Sequence, residues 1–112
     1  MRDYTKLEIY KKSFALTKAI YELSSTWPQQ ELYCLTQQIR RSVHSVDSNI
    51  CEGASRGSNA DCLRFIFAAY GSLKETENHL RLAFELGYVG KERYENYKEN
   101  TEQLSKMINA FI

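Results

Sequence analysis

One long apolar stripe constrains the fold of this chain more than any other feature. Large apolar residues recur at steps of 3, 4, 4, 3 and 4, at Leu32, Leu35, Ile39, Val43, Val46 and Ile50. This spacing places them on one face of an α-helix, whereas a half-buried strand would need a period of two. The stripe predicts a helix over 28–56, with Pro28 in its first turn. We expect Gly57 to end this helix in a left-handed conformation.

Three further stretches repeat the helical spacing on either side of this stripe. Apolar residues recur at steps of 3 and 4 over 5–25, 59–86 and 91–112, and short turns separate the stretches. Amphipathic helices joined by short turns pack as antiparallel neighbours. The sequence therefore predicts an all-α protein, an up-down-up-down, left-handed four-helix bundle that forms one domain over 1–112.

The third predicted helix has a residue suited to each of its ends and two unusual residues in its middle. Ser58 is expected to cap its start, and Gly87 to end it. Gly71 lies in its middle and costs about 1 kcal/mol of helix propensity, for which close approach of a neighbouring helix is the usual compensation. Glu77 occupies a core-register position. A structural ion pair is favoured over an acid–base role, with a partner among Arg40, Arg41 and His44.

Composition bounds the classes of protein to which the chain can belong. The 112 residues are 43% hydrophobic and 26% charged, which is typical of a globular domain. The formal net charge is only +1, so nucleic-acid binding would require a local basic patch. No window approaches the apolar length of a membrane span, and the N-terminus has no secretory signal. We therefore expect a soluble, cytoplasmic protein without a membrane partner.

The cysteines and histidines do not form a recognisable metal or catalytic motif. Cys34, Cys51 and Cys62 are far apart and odd in number, which favours reduced core thiols over a disulfide framework. His44 and His79 each lack a second ligand at helical spacing, so no metal or other cofactor is predicted. No glycine-rich phosphate loop or nucleophile elbow occurs, and we expect a protein without enzymatic activity.

A basic pair in the second helix is the first candidate site. Arg40 and Arg41 could contact phosphate groups, because arginine suits bidentate phosphate recognition, and His44 and Arg56 could extend the surface. Arg64 and Arg81 could enlarge it further. The alternative is ion pairing within the protein or across a subunit boundary, with Glu52, Glu75 or Glu77 as partners.

A polar ladder beside the apolar stripe is the second candidate. Its members follow one another at steps of 4, 3, 4 and 3: Gln38, Ser42, Ser45, Asn49 and Glu52. They could line a ligand site. The favoured interpretation is a structural or oligomer-forming network of hydrogen bonds with Ser72 and Glu75, because unpaired buried polar groups are costly.

The same region carries a resemblance to a known family. Residues 38–53 read Q-x-R-R-x(3)-S-x(3)-N-I-x-E-G, and G-S-L-x-E follows at 71–75. With Trp27-Pro28 upstream and Gly87-Tyr88 downstream, the pattern resembles the bacterial 23S rRNA-intervening-sequence proteins over nearly the whole chain. It is also similar to the accessory variability proteins of diversity-generating retroelements. Asp47 stands where proline is common in the family.

This resemblance implies an antiparallel bundle that assembles into a homo-oligomeric ring, commonly of five subunits around a central channel. The retroelement branch is basic and contacts nucleic acid, and the near-neutral charge here departs from it. Our leading hypothesis is a non-enzymatic, homo-oligomeric scaffold, expected to be a pentamer, whose partner is another copy of itself or another protein. The alternative is an accessory protein that binds RNA or DNA through a basic patch on the oligomer.

Overall fold

The computed structural model describes residues 3–112, and every regular element in this range is helical. The four α-helices are α1 (Glu8–Ser24), α2 (Leu35–Ala54), α3 (Asn59–Glu85) and α4 (Lys91–Phe111). Two 3₁₀ turns precede the first two helices, at Tyr4–Lys6 and Gln29–Glu31. The predicted all-α, four-helix fold is confirmed. None of the helices within residues 3–112 is long and apolar enough to cross a membrane.

Side-chain contacts show that α1 and α2 run antiparallel. Thr17 Oγ1 donates to Asp47 Oδ2 over 2.6 Å, and Arg40 Nε donates to Ser24 Oγ over 2.8 Å. The residue numbers therefore rise along α1 as they fall along α2. The same relation holds between α2 and α3, because Ser42 pairs with Thr76 and Ser45 with Ser72, both at 2.9 Å.

The remaining contacts close the bundle. The rings of Phe84 in α3 and Tyr94 in α4 stack with their centroids 4.4 Å apart. The Tyr97 hydroxyl of α4 donates to the Ala19 carbonyl oxygen of α1 over 3.3 Å. Each helix thus packs against two others, and no close backbone approach joins α2 to α4. These two helices occupy opposite corners. The left-handed sense of the bundle stays a prediction.

The predicted stripes form the core. Five of the six residues in the α2 stripe are buried, and Leu32 is the exception at 40% exposed because it lies in the turn before α2 begins. All four helices contribute to one cluster of buried side chains. Its fully buried large members include Ile20, Leu23, Ile39, Ile50, Ile66, Leu73, Leu80, Leu104 and Ile108.

Two predicted helix starts are corrected. The first helix begins at Glu8 rather than 5, because Leu7 is extended at ψ 130° after a 3₁₀ turn. The second begins at Leu35 rather than 28, since Cys34 departs from helical geometry at φ −122° and ψ −107°. Glu31 stands at this junction and accepts the backbone N–H of Leu35 at 3.4 Å. The region after Pro28 is therefore a capped connection.

The Glu31 side chain also joins this connection to the turn between α3 and α4. The hydroxyl of Tyr88 donates to Glu31 Oε2 over 2.7 Å. This hydrogen bond to a carboxylate raises the pKa of the Tyr88 phenol, because ionisation would remove its donated proton. Tyr88 also lies near Trp27, with the ring centroids 6.0 Å apart. The two inter-helix connections are thereby held together at one end of the bundle.

Three further helix boundaries were predicted, at Ser58, Gly87 and Gly57, and the structure confirms the first two. Ser58 Oγ accepts the N–H of Asp61 at 3.2 Å and caps α3, as predicted. Gly87 follows α3 with a φ of 83°, which confirms the predicted left-handed stop. The prediction for Gly57 is wrong, because its φ is not positive. The chain leaves α2 through a tighter right-handed turn, in which Arg56 N donates to the Gly53 carbonyl oxygen.

The close approach predicted for Gly71 occurs at Gly53 instead. A Cβ built on Gly71 would meet nothing within 4 Å. At Gly53 it would lie 3.1 Å from the Cys62 carbonyl oxygen and 3.2 Å from Phe65 Cβ. Gly53 is therefore the point at which α2 and α3 approach so closely that a side chain would require its neighbours to move by a few tenths of an ångström.

Candidate functional site

Arg40 links α2 to the C-terminal end of α1. Its Nε donates to Ser24 Oγ at 2.8 Å, and a terminal nitrogen donates to the Tyr21 carbonyl oxygen at 3.2 Å. The guanidinium also lies over the Tyr21 ring, 4.9 Å from its centroid. The last turn of α1 has no basic residue of its own, so Arg40 supplies the positive charge that a helix C-terminus favours.

Arg41 is exposed beside Arg40 and lines an open groove. The groove has a volume of about 330 Å³ and lies between the end of α1 and the start of α2. Its lining combines apolar rings with two guanidinium groups, from Tyr21, Leu32, Tyr33, Thr36, Gln37, Arg40 and Arg41. Tyr33 is 83% exposed, the largest exposure among the apolar and aromatic side chains of residues 3–112. Such a combination of aromatic and arginine side chains is typical of a contact surface.

His44 is anchored to a carboxylate that sequence reasoning did not identify as part of a site. Its Nδ1 lies 3.0 Å from Asp47 Oδ1, and the Asp47 side chain is almost completely buried. Thr17 donates to the other carboxylate oxygen at 2.6 Å. The sequence signal was available, because Asp47 interrupts the apolar side of α2 one turn after Val43. His44 remains half-exposed and could still contact a ligand.

Arg56 lies apart from the other basic candidates. It is sixteen residues from Arg40 on a continuous stretch of chain, which corresponds to about 24 Å along a helix. Its guanidinium pairs with Glu52, as the structural alternative predicted, and lies 4.5 Å from the centroid of the Phe65 ring. Arg64 lies 5.0 Å from the same centroid. The structure thus groups Arg40, Arg41 and His44 and separates them from Arg56.

The polar ladder is only partly drawn into the α2–α3 interface. Ser45 hydrogen-bonds Ser72 at 2.9 Å, and Asn49 Nδ2 donates back to the Ser45 carbonyl oxygen at 2.8 Å. Ser42 pairs with Thr76, a buried partner that sequence reasoning missed. Gln38 and Glu75 remain exposed at the edge of this interface. Of the predicted network, the serine hydroxyl groups therefore join the two helices, whereas its amide and carboxylate groups form no hydrogen bond between α2 and α3.

Glu77 forms an ion pair, as predicted, but the predicted partners are wrong. Glu77 Oε1 lies 3.0 Å from Lys74 Nζ on its own helix. It lines a cavity of about 290 Å³ with Tyr94 and Lys98, which belong to α4. The side chain thus faces α4, whereas the predicted partners Arg40, Arg41 and His44 belong to α2 on the other side of α3.

Two exposed apolar surfaces lie on the bundle. The first combines apolar and basic side chains of α1, of α2 and of the connection between them. We call it the aromatic–basic face, and it consists of Phe14, Lys18, Tyr21, Leu32, Tyr33, Arg40 and Arg41. The second is smaller and lies on α3, where Leu82 and Leu86 are one turn apart and about half-exposed. Phe67, also on α3, is 57% exposed. Exposed patches of this kind mark interaction sites more often than isolated apolar residues do.

The titratable groups do not form a metal centre. Among residues 3–112, no three histidine, cysteine, aspartate or glutamate side chains converge in a way that could hold a metal ion. His79 is partly buried, and this burial lowers its pKa, although nearby Glu75 acts in the opposite direction. No disulfide joins the three cysteines.

The fold and the surface together define the class of protein, which is a small antiparallel four-helix bundle with exposed aromatic and apolar side chains. A family model described as 23S rRNA-intervening sequence protein matches residues 5–110, and the chain belongs to that family. A crystal structure of a protein of unknown function from the S23 ribosomal protein family of Bacteroides thetaiotaomicron is similar, with 27% identity and a TM-score of 0.86. The match covers 93% of this chain and 97% of that one. A comparison with curated proteins gave no match. The link to retroelement accessory proteins stays a prediction.

Proposed function

We propose that the protein is a non-enzymatic, homo-oligomeric scaffold in the cytoplasm, assembled as a ring of five subunits. The aromatic–basic face carries this proposal, because Tyr33, Tyr21 and Phe14 are all substantially exposed in the single subunit. Covering these rings removes apolar surface from water, and arginine and tyrosine are enriched in such interfaces. The subunit number follows from the resemblance to ring-forming bundle proteins, and cysteines that form no disulfide fit a reducing compartment.

The geometry around His44 favours a structural role over catalysis. Ser48 Oγ lies 3.5 Å from His44 Nε2, and Asp47 faces the other ring nitrogen, so the three residue types of a hydrolytic triad are adjacent. All three lie within about one turn in the middle of α2, where backbone N–H groups donate within the helix. Hydrolysis of an acyl group also requires donors directed at the developing oxyanion, and this position offers no free backbone donors.

The mass in solution tests the scaffold proposal. We expect light scattering on the purified protein at micromolar concentration to give about 65 kDa, five times the 13.1 kDa chain. Tyr33→Ser should shift the protein toward smaller species while its helical circular dichroism is retained, because the ring makes no core contact. A compact wild-type monomer near 13.1 kDa over this concentration range would contradict the proposal.

A second candidate function is binding of RNA or DNA. It is favoured by exposed Arg41, which lines one groove with Tyr33, and by His44, which is exposed about one turn further along α2. Aromatic rings that stack on bases, flanked by cations that contact phosphates, are the usual elements of single-strand binding. We expect submicromolar affinity at about 50 mM salt and a steep loss at about 200 mM in a fluorescence-anisotropy titration. Arg41→Ala should reduce the salt dependence, and Arg64→Ala on α3 is the matched control. No binding at either salt concentration would contradict this candidate.

A further inference from the structure

An acidic stripe runs along the outer surface of α4. Its four residues follow one another at steps of 3, 4 and 3, which places them on one side of the helix: Glu92, Glu95, Glu99 and Glu102. All four are exposed, and none forms an ion pair with any residue between 3 and 112. Lys98 and Glu102 both line the cavity with Glu77 on the α3 side of the helix, and exposed Lys106 follows Glu102 at a further step of 4. The stripe is therefore negative on balance, with four glutamates against one lysine at its C-terminal end.

The aromatic–basic face has the opposite charge. Lys18 lies four residues after Phe14 and three before Tyr21, so helical spacing places its ammonium group beside both rings. Arg40 and Arg41 extend this charge onto α2, and neither has a carboxylate partner within residues 3–112. The acidic Asp47 on the same side of α2 is buried and held by Thr17 and His44. Glu22 is also exposed, four residues after Lys18, so the charge around the face is three cations against one carboxylate and is positive on balance.

The basic and acidic surfaces cannot satisfy each other within one subunit. The helices α2 and α4 occupy opposite corners of the bundle, with α1 and α3 between them. Complementary surfaces on different sides of one molecule can pair only between copies, in a head-to-tail contact. Repetition of a head-to-tail contact gives a closed ring when the rotation between neighbours closes, and an open filament when it does not.

We propose that the aromatic–basic face of each subunit docks on the acidic stripe of the next copy, and that this repeated contact builds the ring. The inference rests on the proposed homo-oligomeric function and names its interface. Apolar burial supplies most of the affinity, while the charges select the orientation and the partner surface. A groove of about 250 Å³ between α1 and α4 is lined by Lys12, Ala15, Ala19, Tyr97 and Asn100 among others; it lies on the α1 side of α4, and none of the stripe glutamates lines it.

A charge swap tests this interface in the full chain. The variant Lys18→Glu/Arg41→Glu makes the first surface acidic, and Glu95→Lys/Glu99→Lys makes the second basic. Each pair of substitutions opposes like charges at every junction, so we expect the concentration at which the oligomer dissociates to rise at least about tenfold. Combining all four substitutions restores opposite charges, and the combined variant should recover the wild-type mass. Helical circular dichroism and thermal unfolding establish that each variant is folded.

Arg56→Glu/Arg64→Glu is the matched control. It changes the net charge by the same amount as Lys18→Glu/Arg41→Glu but lies at exposed positions beside Phe65, apart from both surfaces, and we expect the wild-type mass. If Lys18→Glu/Arg41→Glu fails to fold, Glu95→Lys/Glu99→Lys tests the same junction from the other side.

The outcomes separate the interface from the scaffold proposal. A wild-type ring that keeps its mass in both charge variants would overturn this interface and leave the scaffold function standing. A wild-type monomer would instead overturn the scaffold function. If the variants keep their mass but Lys18→Glu/Arg41→Glu abolishes binding of RNA in the anisotropy titration, the face serves nucleic acid and the proposed docking is wrong.

Discussion

Replacing Gly53 with valine is expected to lower the free energy of unfolding by about 3 kcal/mol, the upper part of the range for overpacking a core. A Cβ at this position already lies 3.1 Å from a backbone oxygen of Cys62 and 3.2 Å from Phe65 Cβ. Both atoms are fixed to the α3 backbone, so a branched side chain can be accommodated only by separating α2 from α3. That separation would also weaken the nearby hydroxyl pairs between the two helices.

Gly71→Val is the matched control for this prediction. The same side chain is added in the middle of α3, where nothing lies within 4 Å, and valine has a slightly better helix propensity than glycine. We expect Gly71→Val to gain a few tenths of a kcal/mol in the same urea titration. Both variants are compared with the wild type at one protein concentration, because assembly links stability to concentration. Equal stability of the two variants would show that the α2–α3 approach is not tight.

Thr17→Val is expected to cost about 2–3 kcal/mol, the range for a hydrogen bond to a charged group whose loss leaves a buried partner unsatisfied. Valine preserves the shape of threonine but removes the hydroxyl that donates to Asp47 Oδ2 at 2.6 Å. The Asp47 side chain is only 3% exposed, so water cannot readily replace the lost donor. The half-exposed His44 ring then remains as the principal partner of the carboxylate.

Thr101→Val provides the matched control on α4. Thr101 is equally inaccessible, but its hydroxyl donates only to the Lys98 carbonyl oxygen within the same helix, at 2.9 Å. We therefore expect a loss of less than about 1 kcal/mol in the same denaturation series. Adding Asp47→Leu to Thr17→Val should cost less than the sum of the single changes, because the double variant has no stranded carboxylate. Strict additivity would contradict a direct coupling between Thr17 and Asp47.

The helical framework was predictable because it depends on periodicity. The buried residues of α1, from Ile9 to Leu23, occupy the positions at which the spacing placed them. The same is true of α2 from Leu35 onward. Apolar spacing indicates which side of a helix faces the core, and the bundle forms when the four apolar sides pack together.

Features that depend on the third dimension were not predictable in the same way. The sequence contains two glycines within helices, at 53 and 71, and nothing local distinguishes the one that another helix approaches. Likewise, Glu77 lies at a core-register position, but the rotation of α3 about its axis decides whether its side chain faces α2 or α4. The start of α2 was placed too early because the tether from Tyr88 to Glu31 joins residues 57 positions apart in the chain.

The candidate surfaces show the same division. Arg40, Arg41 and His44 are close in sequence, and their proximity could be anticipated from the helix. The contribution of Tyr33 and Tyr21 to the same face required the fold, since they come from different elements. The acidic stripe of α4 was visible as a pattern, yet its significance depends on its position at the corner opposite α2.

The uneven packing of the bundle also bears on how the chain folds. The α2–α3 interface is the most extensive, and the α1–α4 interface, which joins the two ends of the sequence, is the smallest. Contacts between neighbouring segments form with little loss of loop entropy, whereas closure of the chain ends must wait for the intervening helices. The central hairpin should therefore act as the folding nucleus, with the terminal helices joining later. Backbone amides of α4 should accordingly exchange with solvent well before those in the middle of α2, through partial openings that leave the nucleus intact.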